Sequence, residues 1–166
     1  MVIYFWLPAA RLNRYDIVII KLLDFCLKSG EVMTMVFLKH YIIALVVFTL
    51  IDLVWLLVIS KKLYKDKIGH LMADKVNLPA AAIFYLLFIA ALVFFVINPA
   101  VEKQSVLYGL GAGAFFGLVA YATYDLTNLA TLRDWPVSLT IIDLAWGSFV
   151  TAATGAVSTW LSGRFG

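Results

Sequence analysis

Residues Tyr121 to Trp146 read YATYDLTNLATLRDWPVSLTIIDLAW. Two apolar segments flank a polar break at Arg133-Asp134-Trp135-Pro136, and each segment carries one aspartate, Asp125 and Asp143. Pro136 suits the start of a helix, where its missing N–H costs nothing, and Trp135 suits a membrane interface. The stretch therefore predicts two helices joined by a tight turn, each with a carboxylate inside a run apolar enough for lipid.

Working outward, apolar runs of similar length recur at Tyr41–Ile59, Ala80–Asn98, Val106–Asn128 and Val137–Leu161. Each approaches or exceeds the ~20 residues that carry a helix across ~30 Å of hydrocarbon. Of the 166 residues, 64% are hydrophobic and 14% charged, and the mean hydropathy is +0.98. A soluble domain averages about a quarter charged residues. The expected fold is all-α: one polytopic integral membrane four-helix bundle over residues 35–166, its surroundings the lipid bilayer. The pI near 9.0 and net charge of +3 do not point to nucleic acid, because the basic residues sit beside helix ends. Cys26 is the only cysteine, which excludes an internal disulfide and a CxxC metal knuckle. There is no HExxH and no Gly-rich phosphate loop, so the sequence indicates no metal and no cofactor.

Residues 1–34 fit the rest poorly. They hold four basic and three acidic residues and no run that spans a bilayer. Asp16 to Cys26 alternates apolar and charged positions, which suits an amphipathic surface helix. Neither a charged n-region nor a cleavage site of signal-peptide type is present. Ser29-Gly30-Glu31-Val32 can be encoded by a purine-rich ribosome-binding stretch, and Met35 is the expected start. Mass spectrometry of the mature N-terminus tests this.

Lys61, Lys62, Lys65, Lys67, Lys75 and Arg133 flank one set of helix ends, while Lys39, Lys103 and Arg164 flank the other. By the positive-inside rule the basic connection 61–75 is cytoplasmic and the C-terminus lies outside. Gly109, Gly113 and Gly117 share one face of the third helix, and Ser148, Ala152 and Ala156 form a small-residue stripe on the fourth. Small residues at this spacing let helices approach closely in lipid. The expectation is a tight seam within the bundle, with the glycine face also available for a homo-oligomer.

Thr49-Leu-Ile-Asp52-Leu-Val-Trp55 matches Thr140-Ile-Ile-Asp143-Leu-Ala-Trp146 at five of seven positions. The two helices run antiparallel, so the copies resemble a local inverted repeat. Asp52 lies nine residues before Lys61, Asp125 eight before Arg133, and Asp143 ten after Arg133. At 1.5 Å per residue all three sit ~12–15 Å from the basic edge, in one layer. Each costs about 2.5–3.5 kcal/mol at the centre of an inserted helix, so they are expected to face inward. Tyr121, Tyr124, Asp125, Asn128 and Thr131 continue the glycine side of the third helix. Thr140, Asp143, Gly147, Thr151, Thr154 and Ser158 make a second polar stripe. Tyr85 lies at similar depth.

The expected site is a polar cavity open to the cytoplasm, lined by Asp52, Tyr85, Tyr121, Tyr124, Asp125, Asn128 and Asp143. Trp55 and Trp146 serve there as walls or as N–H donors. Interhelical hydrogen bonds average under ~1 kcal/mol in membranes, so an aspartate used only as glue scarcely offsets its insertion cost. Clustered carboxylates titrate as a coupled set and hold a shared proton or recruit a cation. His40 and His70 lie near helix edges.

YDLTNLATLRDWP (Tyr124–Pro136) together with IDLAWG (Ile142–Gly147) resembles a family of bacterial predicted membrane proteins filed as domain of unknown function 2177. The resemblance spans about Met35 to Phe165, and members of that family start just before the first span. It implies a small four-span protein of the bacterial cytoplasmic membrane and carries no established activity. Three functions suit the residues. Binding or transport of a proton, cation or small cationic ligand stands first. An accessory subunit pairing its acids with a partner helix stands second. An enzyme on a lipid-phase substrate, with an Asp as general base, stands third.

Overall fold

The computed structural model describes residues 14–73 and 75–165, and these are helical apart from short connections. Helix α1 is Arg14–Val54, followed by a π-helical turn at Trp55–Ser60, α2 at Lys61–Ile68 and a 3-10 turn at Gly69–Leu71. Next come α3 (Leu78–Leu92), a second π-helical turn (Val93–Ile97), α4 (Asn98–Glu102), α5 (Val106–Thr131) and α6 (Val137–Arg164). Four helical stretches are long and apolar enough to cross a bilayer: Ile19–Leu71, Leu78–Glu102, Val106–Thr131 and Val137–Arg164. The protein is an all-α, four-span integral membrane protein.

The chain divides into two units, Met1–Val36 and Phe37–Gly166. In the first, residues 1–13 of the expected N-terminal extension lie outside the described residues. The remainder of that unit is helical, and its side chains from Ile19 to Val36 are exposed on every side. Asp24 and Lys28 pair at 3.4 Å across one turn. The stretch Asp16–Cys26, expected as an amphipathic surface helix, lies within α1.

In the second unit the helix ends follow local chemistry. Asn77 caps α3 by accepting from the Ala80 amide at 3.2 Å, with Pro79 in the first turn. Ser105 caps α5 by accepting from the Tyr108 amide at 3.1 Å. Asp134, at φ 58°, makes the left-handed step between α5 and α6, a conformation that Asp tolerates better than most residues.

Two departures from the sequence expectations have physical causes. The basic stretch 61–75, expected as a connection, is helical through Ile68. Ser60, Tyr64 and Ile68 recur every four residues, so one face packs inward while the lysines stay exposed. The second span does not end at Asn98-Pro99 but continues to Glu102. Proline obstructs the carbonyl four residues back, and the wider π turn at Val93–Ile97 accommodates it, with the Asn98 amide bonding to the Val93 carbonyl.

The α5–α6 pair is the tightest packing in the unit. A Cβ added at Gly109 would lie 2.8 Å from the Gly155 carbonyl oxygen, and one at Gly113 would lie 2.5 Å from that of Thr151. A Cβ at Gly117 would collide with the Gly147 carbonyl and the Thr151 hydroxyl. The expected seam is present, but it faces Gly147, Thr151 and Gly155; Ser148, Ala152 and Ala156 are only half-buried. The glycine face is thus covered by α6 of the same chain. Ala44 and Phe48 of α1, Phe88, Ile89 and Leu92 of α3, and Val150 of α6 form the main core.

Candidate functional site

All three aspartates face inward: Asp52 is 4% exposed, Asp125 1% and Asp143 2%. Their surroundings differ sharply. Asp52, on α1, accepts from the Tyr85 hydroxyl of α3 through Oδ2 and from the Trp146 indole N–H of α6 through Oδ1 at 3.3 Å. Both oxygens are satisfied. Asp143, on α6, accepts from the Tyr64 hydroxyl through Oδ2 at 2.7 Å, while its Oδ1 has no partner among the described residues. Asp125, on α5, has no partner there for either oxygen.

The Tyr121 ring covers Gly147 of α6, where an added Cβ would collide with it, so it lies one helical turn from Asp125 along α5 and over the residue one turn from Asp143 along α6. Even so, among the described residues no three His, Cys, Asp or Glu side chains come close enough to share one metal ion. The three carboxylates form a neighbourhood rather than a single chelating cage.

The two copies of the repeat meet through their tryptophans. Trp55 and Trp146 stack with ring centroids 4.5 Å apart. The local symmetry ends there: Asp52 bonds the tryptophan of the other copy, whereas Asp143 bonds Tyr64.

The expected cavity open to the cytoplasm is not what surrounds the acids, which are closed off. Ile68 of α2, Trp135 and Leu139 bury one another beside them, with Tyr64, Leu63 and Leu129 packed against the cluster. Trp135, expected at an interface, is 7% exposed and donates to the Thr140 hydroxyl at 3.1 Å. Tyr124 turns outward, 55% exposed, and meets Trp135 edge-on at 5.7 Å. Asn128 is half-buried and Thr131 exposed, so the polar side of α5 splays more than ideal spacing implies. On α6 the threonines bond their own helix, Thr151 to the Gly147 carbonyl at 2.5 Å and Thr154 to that of Val150 at 2.7 Å. With their hydroxyls bonded within α6, they form part of the packed seam rather than the lining of a polar cavity.

A cavity of about 290 Å³ does lie beside Tyr121, between α3 and α5, lined by Phe84, Phe88, Ala120, Tyr121 and Tyr124. A second, of about 440 Å³, shares Ala120 and continues along the same two spans past Phe116 and Val96.

Sequence reasoning missed Tyr64, which holds Asp143, and the His40–Asn98 pair, Nδ1 to Oδ1 at 2.7 Å, which joins α1 to the start of α4. The four-residue recurrence of Ser60, Tyr64 and Ile68 was the available signal for the first.

No curated protein and no solved structure matches the chain. A family model described as "Predicted membrane protein (DUF2177)" matches residues 37–160, which include all three aspartates, both tryptophans of the repeat and the glycine seam, and the chain belongs to that family.

Proposed function

We propose that the protein binds and exchanges a proton or small cation at the Asp125–Asp143 pair, in a bacterial cytoplasmic membrane. The observation that carries this is the Asp125 carboxyl, 1% exposed with no donor on either oxygen among the described residues. An aspartate that serves only to join helices is expected to be satisfied, as Asp52 is by Tyr85 and Trp146. Asp125 instead carries the cost of burial without the compensating bond. A proton, or a cation that displaces it, supplies that compensation. Asp52 then serves as the structural member of the layer, and Tyr64 closes the side that faces α2. Lys61, Lys62, Lys65, Lys67, Lys75 and Arg133 put this end of the bundle in the cytoplasm, and the C-terminus outside. An accessory subunit that pairs its acids with a partner helix has less support, since all three acids turn toward their own bundle.

The test is labelling with dicyclohexylcarbodiimide, which attacks protonated carboxyl groups in apolar surroundings. Peptide mass spectrometry should find Asp125 modified first, Asp143 next and Asp52 spared. Modification of Asp52 as readily as Asp125 would sink the assignment.

A further inference from the structure

We infer that α2 is a gate: an arm that pivots at the π-helical turn Trp55–Ser60 and, on lifting, opens the Asp125–Asp143 pair to water at the basic end of the bundle. This rests on the exchange reading of that pair and adds how access to it is controlled.

A buried acid exchanges a proton or cation only when water reaches it. Asp125 and Asp143 are 1% and 2% exposed, so some element has to move. The obstruction is an apolar plug. Leu129 lies one turn past Asp125 on α5 and Leu139 one turn before Asp143 on α6, each about 6 Å nearer the connection at 132–136. Leu139 is buried together with Ile68 and Trp135, and Leu63, Tyr64 and Leu129 pack against them. Leu129, Trp135 and Leu139 belong to α5, α6 and their connection, a pair that the glycine seam holds together. Leu63, Tyr64 and Ile68 are brought to the plug by α2.

The arm has a pivot and a latch. Upstream, six π-helical residues join α2 to α1. Relaxing that i→i+5 turn to the ordinary i→i+4 ladder rotates the helix that follows while the backbone stays hydrogen-bonded. The near end of the pivot is fixed, because Trp55 stacks on Trp146 and Asp52 is bonded to both α3 and α6. Downstream, residues 71–73 and 75–77 are exposed, so that side can yield. Lys61, Lys62, Lys65 and Lys67 are exposed as well, and lifting α2 takes no charge into hydrocarbon. Burial of Ile68 and the Tyr64 bond to Asp143 Oδ2 at 2.7 Å hold the arm down. The latch therefore sits on an oxygen of the site that it covers, and an ion that takes this oxygen displaces it.

Two carbodiimides read the gate in the full chain in lipid nanodiscs. Dicyclohexylcarbodiimide dissolves in hydrocarbon, whereas a dimethylaminopropyl carbodiimide arrives only through water. With Cys26→Ser as background, Ile68→Cys and Leu139→Cys are joined by a short reducible methanethiosulfonate crosslinker. Locking should slow labelling of Asp125 by the soluble reagent about tenfold or more, as expected when a minor open state is removed, and reduction should restore it. Ile68→Ala, which thins the plug, should speed that labelling about tenfold, less than the full transfer free energy of a buried isoleucine allows. Lys65→Ala, on the exposed face, should leave it unchanged. Equal labelling of locked and reduced protein by the soluble reagent overturns the gate, as does failure of Ile68→Ala to speed it. Labelling of Asp125 by the lipophilic reagent in those same samples would then leave the exchange reading standing; if that labelling fails too, the exchange reading falls and the gate with it.

Discussion

The indole of Trp55 lies flat on that of Trp146, centroids 4.5 Å apart and planes 9° from parallel. The separation exceeds the ~3.5–4.0 Å of optimal carbon contact, so the rings are offset, the arrangement favoured by their quadrupoles. Because Trp146 also donates to Asp52, the stack fixes the donor that satisfies a buried carboxylate. The repeated T-x-I-D-L-x-W string is thereby explained as a clamp between the first and fourth spans.

The clamp predicts coupling. In a double-mutant cycle of Trp55→Leu and Trp146→Leu, followed by detergent-induced unfolding, the two losses should fall short of additivity by about 0.5–1.5 kcal/mol. Trp146→Leu should be the more damaging single change, because it also removes a donor from Asp52. Additive losses would mean that the stack contributes nothing beyond separate packing.

The glycines of α5 separate into two kinds. At Gly113 an added methyl meets the Thr151 backbone, whereas at Gly111 it meets nothing within 4 Å. Gly113→Ala should therefore destabilise the bundle by about 1–3 kcal/mol, the scale of overpacking. Gly111→Ala, on the exposed side of the same helix, should be neutral or stabilise by about 0.5–1 kcal/mol through helix propensity. The same unfolding assay applied to both decides, and equal effects would contradict the packing.

Much of this was legible because charge in an apolar run is conspicuous. Asp52, Asp125 and Asp143 stand out in the sequence, and a lipid environment leaves them only one direction to face. The glycine seam was visible for a similar reason. Its partner surface was not: α6 carries two small-residue stripes, and only the backbone contacts at Gly147, Thr151 and Gly155 decide between them. Tyr64 was hidden among lysines, which read as a solvated connection until the helical register of Ser60, Tyr64 and Ile68 is counted. That Asp52 is satisfied and Asp125 is not could not be read at all. The donors to Asp52 come from positions 85 and 146, distant in sequence, and no local pattern says which acid they reach.

Tyr64 makes the contact that joins α2 to the acidic neighbourhood, at 2.7 Å from Asp143. Tyr64→Phe keeps the ring beside Ile68 and Trp135 and removes only the hydroxyl. Amide hydrogen exchange across Leu63–Ile68 should quicken by up to roughly tenfold, since an intramolecular hydrogen bond is worth about 0.5–1.5 kcal/mol. Exchange in α5 should not change. Carbodiimide labelling of Asp143 should rise toward that of Asp125. If α2 keeps its protection, the apolar cluster alone holds it and Tyr64 closes nothing.

The strongest contrast lies between two aspartates of equal burial. Asp52→Leu leaves the Tyr85 hydroxyl and the Trp146 indole N–H without their acceptor, and each stranded donor costs about 1–3 kcal/mol. Asp125→Leu strands no donor, because none bonds to it among the described residues, and it replaces an unsatisfied carboxyl with apolar volume. The first substitution should destabilise the protein and the second should stabilise it, a difference in sign rather than size. Stability gained at Asp125 with loss of proton or cation exchange would be the signature of a residue kept for function at the expense of the fold. Destabilisation by both substitutions would place Asp125 with Asp52 as architecture, and the exchange site would have to be sought elsewhere.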